Sequence, residues 1–174
     1  MTWKGFFKLF LIVLGILALD IVSKGMTHFY FKPFEHAPHF FPFGGIAVFQ
    51  ALGIDFCIHH VTNKGVAWGM GGNLQDFILI IRMVIIAALA IYLKRSPKAY
   101  SQRYSLMLII AGGIGNILDY FIYGHVVDMF HFILWGYSFP VFNVADASIF
   151  MGIVSLLWMS WKNARRQDAI AEIE

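Results

Sequence analysis

A chain of 174 residues that is 59% hydrophobic, 13% charged and of mean hydropathy +0.70 carries more apolar surface than one soluble core can hide. Its solvent is a lipid bilayer. The net charge of +3 and pI near 9.0 do not point to nucleic acid, because the cations sit at the ends of apolar runs and not in a stripe interleaved with aromatics; they suit the membrane surface.

Four apolar segments, residues 6–22, 76–93, 104–122 and 141–161, are long enough to cross a hydrocarbon core of about 30 Å at about 1.5 Å per residue. Lys4 precedes the first and Lys8 lies near its start, as in a secretory signal, but no small-x-small cleavage site follows Ala18, so a retained helix is expected. The extracytoplasmic connection, residues 24–75, contains Pro33, Pro38, Pro42 and the Gly44-Gly45 pair and cannot be one helix. Its later part, GIAVFQALGIDFCIHHVTNKGVAWG, mixes β-branched and aromatic residues with glycines and predicts a small sheet on the outer surface. The lone cysteine, Cys57, excludes an intrachain disulfide and a cysteine-based zinc cage, and reads as a small buried residue. A short turn containing Asp128 is expected between the third and fourth spans, with Trp135, Tyr137 and Trp161 as interfacial anchors. The residues after Lys162 read as a frayed helix. The fold class expected is an all-α membrane protein, one integral domain over residues 1–174, with a β-rich extracytoplasmic region between helices 1 and 2.

Nine cations (Lys4, Lys8, Lys94, Arg95, Lys98, Arg103, Lys162, Arg165 and Arg166) fall on one side of these spans, and Lys24, Lys32 and Lys64 on the other. Both termini are therefore expected in the cytoplasm. All seven histidines (28, 36, 39, 59, 60, 125 and 131) then face outward, with no metal-binding spacing on any one helix, and neither metal nor cofactor is expected.

Ionisable groups inside a membrane cost about 2.5–3.5 kcal/mol each on insertion scales, so Asp20, Arg82, Asp119, Asp128 and Asp146 mark candidate function. Asp128 in GHVVDMFHF and Asp146 in FNVADASIF both fall near the outer face, and a turn between antiparallel helices would bring them together. Two adjacent carboxylates of low hydration share one proton, the state of an aspartic-protease dyad. Alternatively each caps a helix, Asp146 especially. Asp20 and Lys24, spaced i, i+4, can pair at the outer end of the first helix.

The blocks AGGIGNILDYFIYGHVVDMFHF and FPVFNVADASI, with LDIVSK and VTNKGVAWG, resemble the bacterial lipoprotein signal peptidases, the signal peptidase II family, over all four spans in order. The resemblance implies an inner-membrane aspartyl endopeptidase that acts near the extracytoplasmic face. It would cut signal peptides from prolipoproteins just before a diacylglyceryl-modified cysteine, with Asp128 and Asp146 as its catalytic pair and membrane lipids around it; a monomer is expected because four helices suffice to enclose one polar site. Asn116 and Asn143 match family asparagines beside the dyad, and otherwise read as interhelical hydrogen-bonding groups. Asn63 and Gly65 match an outer-surface substrate motif, or simply a turn. Gly112, Gly113 and Gly115 permit close approach of a neighbouring helix or peptide.

Two departures from the family pattern stand out. Tyr120 follows Asp119 where the family usually has arginine, leaving Asp119 free to pair with Arg82, itself otherwise a snorkelling side chain. Residues 31–43 form a Phe- and His-rich insertion that extends the outer cradle or lies on the bilayer. The competing readings are a proton-coupled carrier, for which no inverted repeat is visible, and a non-catalytic assembly factor, which leaves the clustering of polar residues unexplained.

Overall fold

The computed structural model describes residues 3–65, 72–96 and 101–171. Lys98 and the 66–69 end of the VTNKGVAWG stretch lie outside the described residues. Four helices are long and apolar enough to cross a membrane: α1 (Trp3–Tyr30), α2 (Gly72–Arg95), α3 (Arg103–Tyr123) and α4 (Val144–Ala171). Many large apolar side chains on α1, α2 and α4 point outward, among them Leu14, Val84 and Leu157, as lipid-facing helices require.

The first span is longer than the hydropathy pattern suggests. It was expected to end at residue 22, with the connection starting at residue 24, yet α1 continues to Tyr30. Asp20 and Lys24 pair at 2.7 Å as their i, i+4 spacing allows, with no exposed surface, but inside the helix and not at its end. Their charges depress the hydropathy where the helix is continuous, because each is neutralised by a neighbour inside the protein.

β-Structure is also more extensive than an all-α class allows. Strands β1 (Ile46–Ala51), β2 (Ile54–Asn63), β3 (Val126–Leu134) and β4 (Tyr137–Ser138) form one antiparallel sheet in that order. Only β1 and β2 come from the connection between α1 and α2. The expected turn between the third and fourth spans is instead the β3–β4 hairpin, and Asp128 lies on β3. VVDMFHFIL is rich in β-branched and aromatic residues, and pairing with β2 satisfies its backbone.

Both hairpins turn through two residues of positive φ, Leu52-Gly53 (57° and 77°) and Trp135-Gly136 (49° and 83°), the backbone twist that two-residue loops favour. Trp135 donates its backbone N–H to the Gly53 carbonyl at 2.7 Å, so the two turns support each other. Between Ile58 and Val61 the β2–β3 register slips, and this bulge lies beside Asp128, which pairs with Val61.

Glycines set how closely the helices approach. A Cβ on Gly112 would stand 2.3 Å from the Ala145 carbonyl oxygen of α4, and one on Gly115 would stand 2.6 Å from the Asp20 carboxylate of α1. Around Gly15, on the outer face of α1, nothing lies within 4 Å of such a Cβ. Gly112→Ala should therefore destabilise the protein by about 1–3 kcal/mol in detergent, whereas Gly15→Ala should leave it unchanged or slightly stabilised. Thermal unfolding of the two variants beside the native chain checks the contrast, and equal effects would contradict this account of α3–α4 packing.

Candidate active site

Lys24 is the centre of a buried polar cluster. Its ammonium lies 2.7 Å from Asp20 Oδ2, 2.8 Å from Asp119 Oδ2 and 2.9 Å from Asn116 Oδ1, so all three of its donors have acceptors. Asp119 thus pairs with Lys24, not with Arg82 as the sequence suggested; Arg82 lines a cleft of about 220 Å³ with Ile86, Gly113 and Asn116. A lysine one turn beyond Asp20 on a neighbouring helix reaches Asp119 more directly than a group on α2.

Each carboxylate of this core also holds a backbone amide. Asp20 Oδ1 accepts the Ala145 N–H at 2.8 Å, satisfying an otherwise unpaired donor in the first turn of α4. Asp119 Oδ2 accepts the Val127 N–H at 3.2 Å and so ties α3 to the start of β3. One lysine thereby organises α1, α3, the start of α4 and the strand that carries Asp128.

Asp146 is placed by a reciprocal cap. Asn143 precedes the first helical residue, and its Oδ1 accepts the Asp146 N–H at 2.8 Å, while Asp146 Oδ2 accepts the Asn143 N–H at 3.4 Å. The capping alternative is therefore realised for Asp146 and not for Asp128, which lies on β3, and capping leaves Asp146 Oδ1 free to accept from Asn116 Nδ2 at 2.7 Å. Asn143 also reaches the other acid: its Nδ2 donates to Asp128 Oδ1 at 2.6 Å and stands 3.3 Å from Asn116 Oδ1. Asp128 and Asp146 consequently meet across a single asparagine.

Asn63, at the end of β2, donates its Nδ2 to Asp128 Oδ2 at 2.8 Å, while its Oδ1 accepts the Gly65 N–H at 2.8 Å. Gly65 has φ +71°, so these two residues form the turn anticipated for them, and Asn63 also reaches the acid. Asp128 is 1% exposed. Burial, reinforced by the nearby Asp146 charge and opposed by the Asn63 and Asn143 hydrogen bonds, raises its pKa to about 7. Asp146 is only half-buried and lines a cavity of about 330 Å³ with Phe139, Phe142, Ala147, Phe150 and Met151.

Asp20, Lys24, Asn63, Gly65, Asn116, Asp119, Asp128, Asn143 and Asp146 thus fall into one connected network, with Gly65 at its edge. Sequence reasoning missed Asp76, whose carboxylate accepts the Tyr120 hydroxyl. Gln75 Nε2 donates to the Gly124 carbonyl at 2.6 Å, so two side chains tie the start of α2 to the end of α3. No local pattern announces either contact, since each joins segments more than forty residues apart.

Comparison with known proteins bears on what this arrangement does. The family model described as Signal peptidase (SPase) II matches residues 12–162. A lipoprotein signal peptidase of Moorella thermoacetica is 34% identical over 149 residues, covering 85% of this chain and 89% of the relative. Another, of Anoxybacillus flavithermus, is 26% identical over 173 residues, covering 99% and 96%. Among solved structures, a bacterial membrane enzyme determined by the in meso method at 1.9 Å resolution superposes with TM-score 0.71 at 26% identity, covering 87% of this chain and 91% of that one.

Removing the organising cation exposes two buried carboxylates to each other. Lys24→Met should cost about 3–5 kcal/mol of stability, the usual penalty for breaking a buried ion pair from one side. Adding Asp20→Asn should recover part of that loss, because one uncompensated charge disappears. Unfolding in detergent of the single and double variants measures the coupling; a fully additive pair would contradict the shared cation.

Proposed function

The chain belongs to the signal peptidase II family, and from that premise we propose that it is an aspartyl endopeptidase cutting prolipoproteins just before their diacylglyceryl-modified cysteine. Family membership itself makes it a multi-pass bacterial membrane protease that processes the signal peptides of lipoproteins. The aspartyl chemistry and the position of the cut are the proposed part. The observation that carries them is the meeting of Asp128 and Asp146 across Asn143, with one acid buried and the other beside an apolar cavity.

In this reading Asp128 holds the proton and Asp146 is the base. Asp146 draws a proton from water, whose oxygen attacks the scissile carbonyl, while Asp128 donates its proton to the carbonyl oxygen. Collapse of the tetrahedral species returns a proton to the leaving nitrogen and restores the dyad. Asn143 orients both acids, and Asn116 orients Asp146. Both Asp128 oxygens are already hydrogen-bonded, so the exposed Asn63 is the partner that yields to substrate. Lys24, Asp20 and Asp119 hold the scaffold and touch no reacting atom.

The signal peptide enters laterally as an apolar helix. The Phe-lined cavity beside Asp146 suits apolar substrate, and the lipidated cysteine lies at the outer interface with its acyl chains in lipid. The remaining topology follows the charge distribution: one integral domain, both termini cytoplasmic, the dyad toward the extracytoplasmic face, and a monomer sufficient to enclose the site.

The test is cleavage of a diacylglyceryl-modified prolipoprotein by the purified protein in mixed micelles. Asp128→Asn and Asp146→Asn should each lower the rate by at least about 100-fold while remaining folded. Substantial cleavage by either variant would remove the dyad. With an Asp128 pKa of about 7, the protonated form is lost as pH rises, so kcat/KM should fall through neutrality. Because the Asn63 hydrogen bond favours the ionised form, Asn63→Ala should move that fall to higher pH. A native profile flat across neutral pH would contradict the shared proton.

A further inference from the structure

Away from the dyad, three histidines from separate elements converge: His28 near the outer end of α1, His60 at the β2 bulge and His125 just before β3. One ligand atom from each lies within 4.8 Å of the other two. His28 Nδ1, His60 Nε2 and His125 Nε2 are buried and have no hydrogen-bond partner, an arrangement that wastes three strong acceptors or donors unless something binds them. We propose that His28, His60 and His125 form a binding site for a divalent transition-metal ion of the Zn²⁺ class, which ties α1, β2 and the entry to β3 together.

The orientation of His60 supports this directly. Its Nδ1 lies 3.2 Å from the Phe31 carbonyl, which can only accept, so the proton sits on Nδ1 and Nε2 presents a lone pair. A histidine oriented through its other nitrogen by a carbonyl is the usual form of a metal ligand. Glu35 and Lys64 act on this cluster with opposite charges, and the Glu35 carboxylate, held by Thr62 Oγ1 at 2.7 Å, supplies nearby negative charge for a cation.

The donor set is imidazole alone, which suits zinc and its first-row neighbours and not calcium or magnesium. Zinc–nitrogen bonds of about 2.0–2.1 Å in a tetrahedral site place ligand nitrogens roughly 3.3 Å apart, so modest ring rotations close the cluster. A fourth position remains for water. The lack of metal spacing on any one helix did not decide the matter, because the ligands come from three different elements. A second group, Cys57, His59 and His131, is less suited: His59 and His131 bond each other at 3.1 Å, His131 also bonds Ser138 at 2.8 Å, and burial raises the Cys57 thiol to about 11.

The test uses full-length protein without a polyhistidine tag, stripped with chelator and titrated with Zn²⁺ against a chromophoric competitor, and separately with Co²⁺ by visible absorption. One ion per chain with sub-micromolar affinity is expected, with a Co²⁺ band typical of four-coordinate geometry. His60→Gln and His125→Gln should each weaken zinc binding by more than the roughly 100-fold attributable to an orienting partner alone. A variant at the exposed His36 and His39 should bind as the native chain does. Zinc should raise the unfolding temperature of the native protein and not that of His60→Gln, a comparison that stands even if metal-free His60→Gln is less stable. Absence of one-to-one binding at micromolar zinc, or equal affinity in native and His60→Gln proteins, would overturn the site.

Discussion

The architecture depends on a single ammonium group. Lys24 has no exposed surface, and its three donors go to Asp20, Asp119 and Asn116 on two helices. In a hydrocarbon environment a polar group without a partner costs several kcal/mol, so these bonds admit one arrangement of α1 against α3. The same two carboxylates hold the Ala145 and Val127 amides, carrying that arrangement into the start of α4 and the start of β3. The positions of both candidate acids are thus set from below.

Asp146 helps begin a helix and keeps one oxygen available for the proposed chemistry. Its N–H and one oxygen complete a reciprocal cap with Asn143, which begins α4, and its second oxygen remains available to Asn116. Asp128 comes from a strand, not a helix, beside a bulge that changes register between Ile58 and Val61. A strand locked by pairing and a helix start locked by its cap are both rigid carriers, and Asn143 bridges them. Gly112 and Gly115 complete the arrangement by allowing α3 to approach the Ala145 carbonyl and the Asp20 carboxylate, distances that any side chain would prevent.

Much of this was legible in the sequence, for identifiable reasons. Long apolar runs and intramembrane carboxylates carry strong signals, because the bilayer penalises exceptions to either rule, and Asp20, Asp119, Asp128 and Asp146 lie in one network. The end of α1 was misplaced since charges neutralised through space look, along the chain, like the edge of a membrane span. The β3–β4 hairpin was hidden because Trp135-Gly136 is not a familiar turn pair, and an apolar strand of nine residues reads equally as part of a helix. The partnership of Asp119 with Lys24, and the convergence of His28, His60 and His125, join segments distant in sequence, where spacing carries no information.

The proposed chemistry requires a proton retained by Asp128, which is buried beside a second acid. Infrared difference spectroscopy of the detergent-solubilised protein across a pH titration reads that proton directly, with Asp128→Asn assigning the carboxylic-acid carbonyl band. A band that belongs to Asp128, persists into weakly acidic solution and disappears with a midpoint near 7 is predicted. An Asp128 already fully ionised at the pH where an ordinary carboxylate is ionised would contradict the account, whatever the enzyme's activity.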